Sequence, residues 1–154
     1  MTRSRRTTMT LGSALALAAA LAASVDAQVG KGLIDPNAAA ETELRTVAPL
    51  TPAIAKALVE KRPFMSVLEL NAFLLEQKLT PEQAAEFYRK AFVHVNLNTG
   101  TREEIMLIPG AGTRMAREFA EYRPWKNWAQ FDKEIGKYVG QKETDRLKRY
   151  VVIE

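Results

Sequence analysis

Residues 98–125 read NTGTREEIMLIPGAGTRMAREFAEYRPW, and the punctuation of this stretch divides it into two helices joined by a hairpin. Thr101, followed three residues later by Glu104, has the form of a capping box. In that motif the hydroxyl and the carboxylate each satisfy a backbone N–H left open at a helix start. The predicted helix runs to about Ile108, where Pro109-Gly110-Ala111-Gly112 breaks it. Proline cannot continue a helix, and glycine supplies positive φ. A second helix is expected from Thr113, with Met115, Ala116, Phe119 and Tyr122 at the spacing of one helical face, and Pro124 ends it.

Further along the chain the same signals recur. Asn127 with Gln130 marks another helix start, and Trp128, Phe131 and Ile135 form its apolar face. A turn is expected from Lys137 to Gly140, leading into a fourth helix that holds Thr144, Leu147 and Lys148. Residues 93–154 thus read as four helices in two hairpins.

Sliding the chain by 61 residues lays Asn37 on Asn98, Glu43 on Glu104, Leu44 on Ile105, Val47 on Ile108, Ala55 on Ala116, Leu58 on Phe119 and Glu60 on Glu121. Arg62-Pro63-Phe64 falls on Arg123-Pro124-Trp125. After a one-residue slip, Phe87 lies over Leu147 and Ala91-Phe92-Val93 over Val151-Val152-Ile153. Such self-similarity is the mark of a duplicated structural unit. Helices are therefore predicted in the first copy at about 38–48, 52–61, 66–76 and 81–91, with Ser66/Glu69 and Thr80/Gln83 as caps. The connection around Val93 to Leu97 is too short for a tether. The expected fold class is all-α: two tandem four-helix modules, 35–92 and 93–154, packed as one compact body.

The second copy resembles the signature of the helix-hairpin-helix, ComEA-like, DNA-binding family. The resemblance rests on the opening Asn96-Leu97-Asn98-Thr99, Glu103-Glu104, an apolar pair and the Pro109-Gly110-Ala111-Gly112 hairpin. A basic residue then follows two positions after the second glycine (Arg114) and a small one four after it (Ala116). The resemblance implies paired helix-hairpin-helix units and a DNA-binding role, with service in DNA uptake (competence).

The residues support such chemistry without the name. A glycine-x-glycine turn that opens a helix leaves backbone N–H groups unpaired at the positive end of the helix dipole, which suits a phosphate oxygen. The candidate phosphate contacts are Gly110, Ala111, Gly112 and Thr113, with Arg114 adding charge, and Gly140, Gln141 and Lys142 at the next hairpin. There Tyr138 stands where the family has its first glycine, and Arg146, Lys148 and Arg149 give the last helix a basic face. Contacts of this kind read no base edges, so the expected binding is sequence-nonspecific and salt-sensitive. The same glycines also suffice for a tight interhelical turn with no ligand, and a basic face also suits plain solvation.

The first copy departs from this pattern. Pro49-Leu50-Thr51-Pro52 replaces Gly-Ala-Gly-Thr, and Lys78-Leu79-Thr80-Pro81 occupies the other hairpin. Proline at a helix's first position suits the helix but deletes an N–H that could meet phosphate. Residues 35–92 hold 7 basic and 8 acidic side chains, against 11 and 9 in 93–154. The first copy reads as the fold kept without its ligand site, packing on the second copy or on a protein partner. The alternative function is thus a non-DNA scaffold or protein-binding module, as in an extrinsic photosystem II subunit of similar fold.

The N-terminus reads as a leader. Arg3, Arg5 and Arg6 precede an apolar run from Leu11 to Ala23, and Val25-Asp26-Ala27 has the small-x-small form of a cleavage site. The run falls short of the roughly 20 residues a membrane-spanning helix needs. A signal peptide is expected over 1–27, a short exposed segment over 28–34, no stable membrane insertion after cleavage, and a periplasmic or secreted product. General secretion fits better than the twin-arginine route, because Thr8 stands where that signal wants a large apolar residue. Losing the leader lowers the net charge from +4 to +2, too mild to identify a nucleic-acid partner by itself. With no Cys and one His, His94, lying in an apolar stretch, no disulfide, metal or cofactor is expected. No nucleophile–base pair or nucleotide loop suggests an enzyme or a small-molecule substrate. Trp125 is expected to close the core after Pro124, although Tyr122, Trp125 and Trp128 have faces that could stack on bases.

Overall fold

In the computed structural model, which describes residues 32–154, the regular structure is helical except for two strands of two residues each and one isolated bridge. The leader and most of the 28–34 segment lie outside the described residues. No described helix is long and apolar enough to cross a membrane.

In the first half the helices are α1 (Glu41–Leu44), α2 (Pro52–Lys61), α3 (Val67–Glu76) and α4 (Pro81–Tyr88). In the second they are α5 (Arg102–Met106), α6 (Thr113–Glu121), α7 (Trp128–Val139) and α8 (Gln141–Lys148). Their starts follow from short-range capping. Thr51, Ser66, Thr80, Thr101 and Asn127 each accept a hydrogen bond from the backbone N–H three residues on. Thr80/Gln83 and Thr101/Glu104 complete reciprocal capping boxes. At Ser66 and Asn127 the return bond goes one residue further back, from Met65 N to Glu69 and from Lys126 N to Gln130.

Three boundaries differ from the sequence reading. The helix expected over 81–91 ends at Tyr88, where Arg89 and Lys90 turn the chain. The first helix expected over 38–48 shrinks to one turn, α1, followed by successive tight turns at Thr46 and Val47. The turn expected from Lys137 to Gly140 is instead the end of α7, which runs to Val139. Its last turn is held from outside: Tyr138 and Tyr122 share a hydroxyl hydrogen bond of 3.0 Å, and Lys137 Nζ donates to Tyr122 and to Glu134.

The strands were not expected. β1 (Val95–Asn96) pairs in parallel with β2 (Val151–Val152), and Ile34 makes a parallel bridge with Ala91. In both halves the end of the chain returns to lie beside its start. Pairs this short carry no period-two pattern, and they form because the helices between them close the loop.

A second set of bonds recurs 61 residues apart. The Asn37 side chain donates to Phe64 O (2.9 Å) and accepts from Phe64 N (2.8 Å), while Asn98 does the same with Trp125 (3.0 and 2.7 Å). Arg62 donates to the carbonyls of Pro36 and Ala39, and Arg123 to those of Leu97 and Gly100. Each Arg-Pro-aromatic corner is thereby tied to the start of its own half, with a cis peptide before Pro63 and Pro124.

Apolar side chains of both halves form one contiguous core. Phe64 packs on Phe73, and Trp125 on Phe119 and Phe131, with the Trp125 indole N–H donating to Phe119 O. Trp125 is buried, as expected of a core-closing residue. Across the join, Phe92 meets Tyr150 edge-on at 5.1 Å. His94 lies at this join with its Nε2 buried and without a hydrogen-bond partner. Burial holds its pKa below the ordinary histidine value, against the opposing pull of the Arg149 backbone and Asp35.

Two outcomes follow. Asn98→Ala leaves the Trp125 N–H without its acceptor, and urea unfolding should register a loss of about 1–3 kcal/mol. His94 resists protonation in the folded chain, whereas the unfolded chain takes up the proton near pH 6.5. Its contribution is therefore present above about pH 6.5 and is lost as the pH falls towards the folded pKa. The drop in melting temperature between pH 7.5 and 5.0 should be smaller in His94→Gln than in the parent.

Candidate nucleic-acid interface

The hairpin between α5 and α6 is closed by one short bond, Ala111 N to Ile108 O at 2.9 Å. Gly110 sits at φ +80°, a left-handed conformation that side-chain-bearing residues disfavour. Gly112 is the N-cap of α6 in extended conformation and has no side chain to cap the helix. Among the described residues, the N–H groups of Gly112, Thr113 and Arg114 meet no protein acceptor, and all three residues are exposed. These are the open donors of a helix start, at its positive end.

At the second hairpin Gly140 alone separates α7 from α8, with φ +76°. Its N–H is used by Gly136 O at 2.8 Å, and its carbonyl accepts from Thr144 N and Thr144 Oγ1. The amides of Gln141, Lys142 and Glu143 are left without protein acceptors among the described residues. Lys142 is exposed and makes no ion pair there.

The corresponding helix starts of the first half are capped by side chains. Thr51 Oγ1 takes the Ile54 amide and Pro52 has no N–H to offer. Thr80 and Gln83 exchange bonds at α4, which likewise begins with proline. Among the described residues the first-half starts keep fewer open N–H groups, those of Thr51 and Ala53 at α2 and of Glu82 at α4, than the three each at α6 and α8.

Several sequence-predicted contacts need correction. Ala111 is buried and its amide is already bonded, so it has no donor for a ligand. Gly140 likewise contributes a bend but no free N–H. The absent Cβ of Gly110 makes room for Arg146: a Cβ there would lie 2.8 Å from its guanidinium. At Gly112, by contrast, a Cβ would meet nothing within 4 Å. Arg114 does not project freely; its guanidinium lies 4.8 Å from the Tyr138 ring centre and links one hairpin to the other.

Two of the basic side chains of α8 and its C-cap, Arg146 and Lys148, meet carboxylates, and Arg149 meets a carbonyl. Arg146 forks onto Glu143, Lys148 bonds Asp132 and Asp145, and Arg149 donates to Gly32 O. A cluster absent from the sequence reading supports the hairpins from behind. Tyr122, Lys137 and Tyr138 join there beside the buried Glu118. The hydrogen bond to Tyr122 is the main reason the Tyr138 phenol is pushed up to about 12. Lys137 is raised above the usual lysine range by Glu134 first and Tyr122 second. Tyr122 and Tyr138 are sixteen residues apart with no motif between them, so only their meeting in space reveals the cluster.

The chain matches no family model, no curated protein and no solved structure. No group of three or more metal-ligating side chains occurs among the described residues.

The two hairpin glycines should respond differently to substitution. Gly110→Ala forces a left-handed alanine against Arg146 and should cost about 1–2 kcal/mol in thermal unfolding. Gly112→Ser should leave stability unchanged or slightly higher, since serine is a good N-cap and open space receives it.

Proposed function

We propose that this protein is an exported, sequence-nonspecific DNA-binding protein made of two tandem helix-hairpin-helix modules, 35–92 and 93–154. It grips the phosphate backbone through the hairpins of the second module. The observation that carries this reading is the contrast between helix starts: Gly112 and Gly140 leave a run of successive amides open at α6 and α8, while Thr51-Pro52 and Thr80-Pro81 break that run at α2 and α4 by removing one N–H and capping another. Open amides at the positive end of a helix suit a phosphate oxygen and read no base. The donors are Gly110, Gly112, Thr113, Arg114, Gln141 and Lys142, with the Lys142 ammonium adding charge.

The near-equal charge count argues for weak binding by a single molecule, which several molecules on one DNA would strengthen. The leader directs the protein to the periplasm or outside the cell, where a DNA-holding role in uptake fits the family resemblance. A second reading has the 35–92 module as a protein-binding scaffold. It is favoured by exposed Leu68 and Leu75, seven residues apart on one face of α3, and by exposed Met65 just before the N-cap.

The decisive variant grafts the first module's capped helix start onto the second: Gly112→Thr with Thr113→Pro. The Gly112 backbone is extended and its surroundings are open, so the fold accepts the change. Retention of random-sequence duplex DNA at 50 mM salt should fall by about tenfold or more, with the melting temperature unchanged. Lys142→Glu should weaken retention and flatten its salt dependence by about one unit of slope. Retention indifferent to both variants, or absent in the parent at low salt, refutes the reading.

A further inference from the structure

A cleft of about 420 Å³ opens between the two halves, beside the first glycine hairpin. Arg89, the residue that ends α4, faces Pro109 and Gly110 across it, with Glu143, Arg146 and Arg149 from α8 and its C-cap. Three guanidinium groups thus meet one carboxylate.

The first half has a cleft of about 410 Å³ whose lining includes Ala48, Glu86, Arg89 and Lys90. By the offsets that relate the halves, Ala48 corresponds to Pro109, Glu86 to Arg146 and Arg89 to Arg149. Arg89 therefore lines both clefts, and the sign of the charge at one wall is reversed between them. A carboxylate at that wall repels an anion, and a guanidinium attracts one.

Each arginine of the second cleft has donors to spare. Arg146 is held as a fixed fork by Glu143, at 2.8 and 2.6 Å, with its guanidinium 5.7 Å from the Tyr150 ring centre. Arg149 spends one N–H on Gly32 O, while its Nε is buried with no acceptor. Such an unmet donor is costly unless something supplies an oxygen. Arg89 is exposed and has no ion pair among the described residues. Planar guanidinium forks match the oxygens of a phosphate better than any other side chain does.

We propose that this cleft binds a second backbone phosphate of the nucleic acid, with Arg89 reaching from the first half and Arg146 and Arg149 from the second. The inference rests on the DNA-binding reading and extends it: the first half, capped at its own hairpins, supplies a charge to its neighbour's site. Gly110 belongs both to the hairpin and to the cleft wall, so one strand can engage the α6 amides and the cleft together.

The test uses the chain without its leader and a labelled 20-base-pair duplex of random sequence, titrated by fluorescence anisotropy from 50 to 200 mM salt. Arg89→Ala should weaken binding about tenfold and reduce the salt slope by about one. Glu86→Arg, which gives the first cleft the wall of the second, should strengthen binding. Both residues are exposed, so melting temperatures should not move. Unchanged affinity in Arg89→Ala, or no gain in Glu86→Arg, overturns the proposal. If the hairpin graft at Gly112 and Thr113 still abolishes binding in that event, the cleft fails and the hairpin reading stands. Loss of binding in Arg89→Ala beside an indifferent graft means the reverse: the cleft stands and the hairpin reading fails. Calorimetry with inorganic phosphate at matched ionic strength supplies the last arm. Tight phosphate binding that Arg89→Ala removes, without effect on DNA, overturns the proposal in favour of a free-anion site.

Discussion

The structure depends on a side-chain amide closing a loop that the backbone alone cannot close. Asn98 pairs both of its polar atoms with the main chain of Trp125, and the Arg123 fork next to it takes the carbonyls of Leu97 and Gly100. Short helices bury little apiece, and their orientation would drift without such ties. With the corner fixed, α5 and α6 meet at a set angle, Trp125 drops between Phe119 and Phe131, and the chain end returns to pair with Val95. Asn37 and Arg62 hold the first half by the same bonds.

Within that frame the helix starts decide where backbone N–H groups stay open. A helix start must find acceptors for its first N–H groups, and threonine, serine and asparagine supply them in five of the eight described helices. Glycine caps supply none. At α6 and α8 the requirement passes to water or to an anion, and a phosphate oxygen meets it while also answering the helix dipole. Two halves with one plan of helices can therefore differ in chemistry through very few residues, and Thr51-Pro52 against Gly112-Thr113 is the sharpest such difference.

Much of this was legible in the sequence. The capping boxes, the Pro109–Gly112 hairpin and the 61-residue correspondence all rest on residues that act within four positions of themselves or on side-by-side likeness. Other parts of the site were not legible. Gly110 reads as a place kept bare for a ligand, yet its bare side is filled by Arg146, 36 residues further on. Arg114 reads as a free cation, yet it lies over Tyr138. Basic side chains on α8 read as a charged face, yet acidic neighbours on α7 and α8 pair with two of them, Arg146 and Lys148.

The sequence by itself determined where most of the helices begin, which hairpins are uncapped and which are capped, because capping and turn formation are settled by neighbours along the chain. The tertiary structure alone decided the pairing of Val95 with Val151, the reach of Arg149 to Gly32 across 117 residues, and the meeting of Arg89 with Arg146 and Arg149 in one cleft. Those contacts join residues that no local pattern relates. They exist because burying one shared core draws the two halves together and sets distant charges side by side.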